Sequence, residues 1–424
     1  MDEIAAKRIT LVYFDAGGGH RAAARALQQA IAQQQRPWSV SLVNLFEAMD
    51  PNGRFQRLLG CKPEDYYNLR LQRGWTLGLG QELRLLQLLI RVFHRPMVRA
   101  LQQHWRATQP QLVLSLIPNF NRTLYESLAL ALPGVPFATL LTDIADTPPH
   151  FWIEPGQRQQ LIVGSERAHE QALSAGYAQA QVSRVSGMLL HPGFYVPAPS
   201  AAQRAQTLRD WGLDPGKPTG IVMFGGQGSM QMLRISRALP DRQLILLCGR
   251  NEALRERLMR SDAELPRRHI ALGYTEQVAQ VLRLGDYFIG KPGPGALSEA
   301  LHCGLPAITF DGLGLMPQER YNTQWLREQG LGVVLRSVGQ VREGVDDLLA
   351  DLPVYRERVA RLHNRAVHEV PAILDTLLQA GAETARALRR TLRDDSRQSP
   401  AAATRAATPS SSSLPLANSY RVKP

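Results

Sequence analysis

Cysteine is scarce in this chain: Cys61, Cys248 and Cys303 are the only three in 424 residues. They stand far apart and show no metal or redox spacing, which argues against a disulfide scaffold or a zinc module and fits a reducing cytoplasm. No apolar run is long enough to span a bilayer. The opening Met1–Arg8 carries acids and no apolar core, so export is not expected. Acidic residues are nearly missing between Tyr66 and Gln109, where Glu82 alone faces Arg70, Arg73, Arg84, Arg91, Arg95, Arg99 and Arg106. The whole chain carries a formal net charge of +12. Interleaved with these arginines are Trp75, Leu83, Leu85, Leu86, Leu88, Leu89, Ile90, Val92, Phe93 and Trp105. That is the composition of a helix lying in a membrane interface. An ordinary amphipathic helix with a solvated arginine face has the same composition and stays open as the alternative. Nucleic acid is not expected as a partner, because no recognition motif accompanies the charge.

Three loops carry the chemistry. Lys291-Pro292-Gly293-Pro294-Gly295 follows the apolar run Asp286–Gly290 and opens a helix expected over Ala296–Cys303. Asp15-Ala16-Gly17-Gly18-Gly19-His20 ends the strand Ile9–Phe14, and Gly225-Gly226-Gln227-Gly228-Ser229 ends the strand Gly220–Phe224. A glycine-rich turn between strand and helix offers free backbone N–H groups and the positive end of a helix dipole to an anion. None is a phosphate loop of the Walker type, because no Lys-Ser/Thr follows the glycines, and the dinucleotide spacing is absent as well. Glu299, expected in the first helical turn, could cap that helix or accept both hydroxyls of a ribose.

The apolar runs place strands at Ile9–Phe14, Ser39–Asn44, Leu112–Leu116, Phe137–Leu141, Gln160–Val163 and Val182–Val185. A second series is expected at Gly220–Phe224, Gln243–Cys248, His269–Ala271, Tyr287–Ile289, Ala307–Phe310 and Gly332–Leu335. Continuous rather than alternating apolar runs indicate parallel strands buried on both faces. The expected fold class is therefore α/β, with two doubly wound domains. The expected boundaries are 1–196 for the first domain, 197–217 for a linker, 218–352 for the second domain and 353–392 for C-terminal helices. The Ser/Ala/Pro-rich 393–424 is expected to be a disordered tail.

In this order the motifs resemble those of the GT-B glycosyltransferases that use UDP-sugars. Within them, the chain is similar to the family 28 branch containing bacterial MurG and the monogalactosyl- and processive diacylglycerol glycosyltransferases. The likeness covers Ile9 to Leu335 and rests on Asp15–Ala22, Leu141-Thr142-Asp143, Val185–Met188, Gly225–Ser229, Cys248–Asn251, Gly273-Tyr274, Lys291–Glu299 and Gln318–Asn322. It implies two Rossmann-like domains facing across a cleft, and inverting transfer of a hexose from a UDP-sugar to a lipid such as diacylglycerol. It also implies that Gly226, Gln227, Gly228 and Ser229 lie against the diphosphate; Gly293 and Gly295, in the loop that can seat an anion, are expected to bind the donor as well. Glu299 would hold the ribose, backbone near Tyr274 the uracil, and Gln318, Glu319 and Asn322 the hexose. The leaving group would be neutralised by backbone dipoles without a divalent metal. No cofactor and no metal ligands are expected; Asp346-Asp347 and Asp394-Asp395 lie outside the motifs.

His20 and Asp143 are the candidate bases for the acceptor hydroxyl. His20, at a helix N-terminus, should have a lowered pKa and stay neutral. Asp143 ends a strand and could equally be a structural acid. His150 could reach the acceptor or pack at the surface, and His363 and His368 read as solvated. The segment 66–109 occupies the position of a membrane-docking element in the lipid-modifying relatives, which implies a peripheral enzyme on the inner face of the cytoplasmic membrane with an anionic surface as partner. Thr147–His150 and Asp311–Pro317 depart from those relatives. Two other readings fit the same architecture: a UDP-sugar 2-epimerase, which needs more cleft carboxylates than Asp15, Asp143 and Asp146, and a non-catalytic protein that binds nucleotide-sugars or membrane surfaces.

Overall fold

The computed structural model describes residues 6–15, 18–53, 57, 79–262, 269–312 and 315–398. All twelve expected strands are present, in two parallel six-stranded sheets. The first sheet contains β1 Lys7–Tyr13, β2 Trp38–Asn44, β3 Leu112–Ser115, β4 Phe137–Leu140, β5 Gln160–Val163 and β6 Val182–Arg184, ordered β2-β1-β3-β4-β5-β6. The second contains β7 Thr219–Met223, β8 Gln243–Leu247, β9 His269–Leu272, β10 Tyr287–Gly290, β11 Ala307–Phe310 and β12 Gly332–Leu335, ordered β12-β11-β10-β7-β8-β9. Strands β3, β7 and β8 are buried at every position, because helices cover both faces of each sheet.

The strand order locates the binding edge. The chain reverses direction of travel between β1 and β3 in the first sheet and between β7 and β10 in the second, and ligands of open α/β sheets bind at such switch points, beyond the carboxyl ends of the strands. The register pairs Val12 with Ser115 and Ser115 with Thr139, so the loops after β1, β3 and β4 leave the same edge. In the second sheet Gly290 pairs with Met223, which sets Lys291 beside the glycine loop that follows β7.

Helix starts follow local signals. Asn44 Oδ1 accepts the backbone N–H of Phe46 at 2.9 Å and caps Leu45–Met49; Ser165 Oγ accepts that of Ala168 at 3.0 Å and caps Glu166–Ser174. Ser200 and Gln203 form a reciprocal capping box at the start of Ala201–Asp210. That helix corrects the expected linker. Leu208 and Leu213 are buried in the core of the second domain, so 197–217 is largely part of that domain. The break in the strand–helix pattern comes from Pro and Gly punctuation, which marks loops and not domain limits.

The C-terminal end also differs from expectation. The helix Ala366–Gln398 runs past the expected boundary at 392, through the first residues of the expected tail; 399–424 lie outside the described residues. Its Ala366, Val370, Leu374 and Leu378 are buried against Ile9, Leu27, Leu112 and Leu140, so the last helix completes the first domain and not the second. Each leucine buried this way contributes about 1.5–3 kcal/mol. The two chain crossings between domains are tied together: Asn364 Nδ2 donates to the Met188 carbonyl at 2.9 Å, and the Ser186 N–H donates to Glu369 Oε2 at 2.8 Å. Here His368, expected to be solvated, instead packs edge-on against Tyr195 at 4.7 Å, while His302 lies against the same ring at 4.7 Å.

Candidate active site

On the first-domain side, the loops after β1 and β4 bring His20 and Asp143 together. His20 is the second residue of the helix Gly19–Gln33. Gly18, at φ 80, makes the left-handed turn that starts it; Ala16 and Gly17 lie outside the described residues. The His20 ring packs edge-on against Phe14 at 4.8 Å and lies 5.8 Å from Trp152. Its Nδ1 is 3.1 Å from Thr142 Oγ1. Trp152 Nε1 donates to Asp143 Oδ2 at 2.8 Å. Asp143 Oδ1 has no hydrogen-bond partner among the described residues.

Burial acts on the two groups in opposite directions. It lowers the His20 pKa to about 4, partly opposed by the Leu116 carbonyl. The direction is the expected one, and its largest cause is desolvation by burial. Burial raises the Asp143 pKa to about 7; the Trp152 hydrogen bond opposes this, Glu319 and Asp146 add to it, and Lys291 opposes it. Asp146 is different in kind. Its carboxylate accepts the backbone N–H groups of His150 at 2.9 Å and Trp152 at 2.6 Å and so holds the 146–152 loop in shape. His150 is exposed on that loop.

On the second-domain side, the loop after β7 is interlocked with the loop after β8. The Gly226 carbonyl accepts the Arg250 N–H at 2.9 Å, and the Gln227 carbonyl accepts Asn251 Nδ2 at 3.3 Å. Gly228 sits at φ 61, and a Cβ there would meet the Cys248 carbonyl oxygen at 2.7 Å, so only glycine fits. Around Gly226 and Gly295 a Cβ would meet nothing within 4 Å, which leaves the backbone of both loops open to a ligand. Ser229 Oγ accepts the Gln231 N–H at 3.3 Å. Tyr274 is exposed, with the Arg250 guanidinium 5.0 Å above its ring.

The helix after β10 begins at Pro294, two residues earlier than expected, with Gly293 as its N-cap. Glu299 therefore stands in the second turn and is not a cap. No hydrogen bond or ion pair to its carboxylate occurs among the described residues, and burial alone raises its pKa to about 7. Glu319 and Asn322 come from the turn Pro317–Glu319 and the helix Arg320–Glu328. Both are buried, and both are bonded to the β10 loop: Asn322 Nδ2 donates to the Pro292 carbonyl at 2.7 Å, and Lys291 Nζ to Glu319 Oε1 at 3.1 Å. Gln318 lies beside them, its Nε2 3.7 Å from the Met316 sulfur. No cluster of three or more His, Cys, Asp or Glu side chains placed to hold a metal occurs among the described residues.

The structure thus brings His20 and Asp143 together through Thr142 and Trp152, and joins Glu319 and Asn322 to the β10 loop, with the charges of Lys291 and Glu319 reaching Asp143. Sequence reasoning did not single out Lys291 or Trp152. Lys291 was inside a recognised motif, but its place beside the β7 loop depends on β10 pairing with β7, which a sequence pattern does not encode.

If Glu299 accepts ribose hydroxyls, the charged carboxylate binds better than the acid. Uridine affinity is then expected to rise between pH 6 and pH 8 as Glu299 ionises around 7. The Glu299→Ala variant should bind uridine about 10- to 100-fold more weakly at pH 8 and lose that pH dependence. Calorimetric titration at the two pH values checks both.

No protein-family model matches the chain. Over 359 residues it is 26% identical to monogalactosyldiacylglycerol synthase 1 of Arabidopsis thaliana, covering 80% of this chain and 64% of that protein. It thus spans a little under two thirds of the length of that plant relative. Over 203 residues it is 27% identical to a processive diacylglycerol beta-glucosyltransferase of Bacillus pumilus, covering 46% of this chain and 51% of that one. In three dimensions it is similar to Acinetobacter baumannii MurG, with a TM-score of 0.55 at 12% identity, over 87% of this chain and 99% of that one. Two parallel six-stranded sheets, joined by two crossings and closed by a returning C-terminal helix, give this chain the GT-B fold seen in MurG, and its sequence is similar to those of the monogalactosyldiacylglycerol synthases and the processive diacylglycerol glucosyltransferases.

Proposed function

We propose that the protein transfers a hexose from a UDP-sugar to the hydroxyl of a lipid such as diacylglycerol, with inversion and without a divalent metal. One observation carries this reading. Asp143 of the first domain shares an electrostatic environment with Lys291 and Glu319 of the second, and its pKa lies near 7. A general base works best with a pKa close to the operating pH, so Asp143 suits the role and His20, at about 4, does not. In this mechanism the acceptor oxygen attacks the anomeric carbon and its proton passes to Asp143. The bond from that carbon to the diphosphate oxygen breaks, and UDP leaves with the electron pair. Neutral His20, held at Thr142, orients the acceptor. The names of the plant and bacterial relatives support the hexose and the diacylglycerol.

The acceptor route is read from the helices Leu79–Val92 and His94–Thr108. Residues 66–78 of the expected membrane segment lie outside the described residues. Leu83, Gln87, Ile90 and His94, spaced four, three and four apart, form the stripe that faces the protein. Leu83 packs near Trp152, Gln87 Nε2 donates to Asn119 Oδ1 at 3.1 Å, Ile90 packs near Trp105, and His94 bonds Glu126 at 2.7 Å. The opposite face is not polar. Leu85, Leu86, Leu88, Leu89, Val92 and Phe93 are all exposed, with exposed Arg84, Arg91, Arg95 and Arg99 around them. A domain helix with a solvated arginine face would not present six large apolar groups to water. A helix resting on an anionic membrane would, and this one also touches the wall of the cleft that holds Asp143. No described helix is long and apolar enough to cross a membrane. We place the enzyme peripherally on the inner face of the cytoplasmic membrane.

The deciding experiment follows UDP release from UDP-glucose, UDP-galactose and UDP-N-acetylglucosamine, each with and without diacylglycerol in anionic liposomes. Lipid-dependent release with one donor is expected. Interconversion of UDP-sugars in the absence of lipid would instead identify an epimerase. UDP binding without any turnover would leave only a binding protein.

A further inference from the structure

Lys291 stands where four parts of the cleft meet. Its Nζ is 3.1 Å from Glu319 Oε1. A Cβ built on Gly225 would lie 3.7 Å from its Cε, and one built on Gly293 would lie 3.3 Å from Cε and 3.7 Å from Nζ. The stem of the lysine therefore runs between the two glycine loops, the second of which opens the helix Pro294–His302. The fourth part is Asp143, across the cleft, which the ammonium charge reaches. The side chain is 39% exposed, whereas that of Glu319 is 5% exposed. Neutralising a buried carboxylate accounts for one of the three N–H bonds of the ammonium. It does not account for a part-exposed lysine placed between the two glycine loops.

We propose that Lys291 is the cation that binds the diphosphate of the donor and holds its growing charge as the sugar leaves. The proposal rests on the UDP-sugar reading above and deepens it. No bond to Lys291 is made or broken beyond a hydrogen bond. The anomeric carbon–oxygen bond breaks toward the β-phosphate, the electron pair stays on that oxygen, and the ammonium donates to the phosphate while a second N–H keeps Glu319 in place. A fixed positive charge aimed at the point where negative charge develops is the protein's substitute for a bound divalent ion. The N-terminus of the helix Pro294–His302, which starts in the same loop, adds a partial charge of the same sign. Lysine suits this place because a single point charge can serve two oxygen partners lying in different directions.

The test compares UDP, UMP and uridine as ligands of the full chain by calorimetry, in wild type, Lys291→Met, Lys291→Arg and Glu319→Gln. Wild type is expected to prefer UDP over UMP by about 10- to 100-fold, the strength of a charge-assisted contact to the second phosphate. Lys291→Met should reduce that preference to a few-fold and leave uridine affinity unchanged. Lys291→Arg should keep most of it, and Glu319→Gln all of it. If Lys291→Met keeps the UDP preference, the lysine serves Glu319 alone and the proposal falls. Loss of uridine affinity in Lys291→Met would also count against it, because a phosphate contact cannot affect a ligand without phosphate. If wild type binds neither UDP nor uridine, the nucleotide reading fails first, and this proposal with it.

Discussion

Replacing Asp143 with Asn is expected to lower kcat for sugar transfer by about 100- to 10,000-fold, the range for loss of a general base. UDP affinity should stay within about two-fold, because in the proposed mechanism Asp143 meets the acceptor hydroxyl and makes no hydrogen bond to the nucleotide. Asn keeps an oxygen for Trp152 Nε1, so the loop geometry survives. In the wild type, kcat/KM should fall as pH drops below about 7, where the base becomes protonated. His20→Ala should lose less, and its pH profile should keep the same inflection, since neutral His20 only positions the acceptor. A wild-type inflection near 4 that disappears in His20→Ala would reverse the assignment.

Stability gives an independent check with a definite sign. Asp143 has a folded pKa raised from 3.8 to about 7, so the folded protein holds its proton more tightly than the unfolded chain. The stability this group contributes is complete below 3.8 and is lost as pH rises through about 7. At pH 8 the wild type therefore carries a buried charge that Asp143→Asn does not. The variant should be more stable there, by up to about 4 kcal/mol, with the difference vanishing toward pH 4. A catalytically dead variant with a higher melting temperature is the usual mark of an active-site group placed at a cost to folding. An equal or lower melting temperature at pH 8 would mean that Asp143 is a structural acid.

The second large effect concerns the outward face of the helix Leu79–Val92. Changing Leu85, Leu88, Val92 and Phe93 together to Ser should reduce partitioning to anionic liposomes by at least about 100-fold, since each apolar side chain contributes roughly 1.5 kcal/mol or more on leaving water. These four are between 52% and 65% exposed, so UDP binding and melting temperature should stay as in wild type. Binding of the wild type should weaken with salt, because Arg84, Arg91, Arg95 and Arg99 act through a screened surface field. Unchanged partitioning of the quadruple variant, in a co-sedimentation assay, would exclude this face as the docking surface.

The strands and the glycine loops were legible from local pattern. Ile9–Phe14, Gly220–Phe224 and the other apolar runs can satisfy their backbone and bury both faces only inside a parallel sheet, and a Gly-rich turn after such a run has few uses other than close approach by a ligand. The helix containing Glu299 starts two residues earlier than the local pattern indicates, because Pro294, which suits a turn equally well, occupies the first helical position. The same weight given to Pro and Gly around 197–217 made a linker of a segment whose Leu208 and Leu213 lie in the second core.

By itself, then, the sequence determined the twelve strands, the three loops and the residue types lining the cleft, because each depends on neighbours a few positions away. Tertiary structure decided the rest. It set His20 and Asp143 apart through burial, which acts in opposite directions on a base that becomes cationic and an acid that becomes anionic, and the proposed choice of base rests on that difference. It moved Lys291 from one loop residue among several to a place between the two glycine loops by pairing β10 with β7. It also returned the last helix to the first domain, where Leu374 and Leu378 meet strands more than two hundred residues earlier. Desolvation and charge coupling depend on distances in space, and residues so far apart in the chain acquire those distances only when it folds.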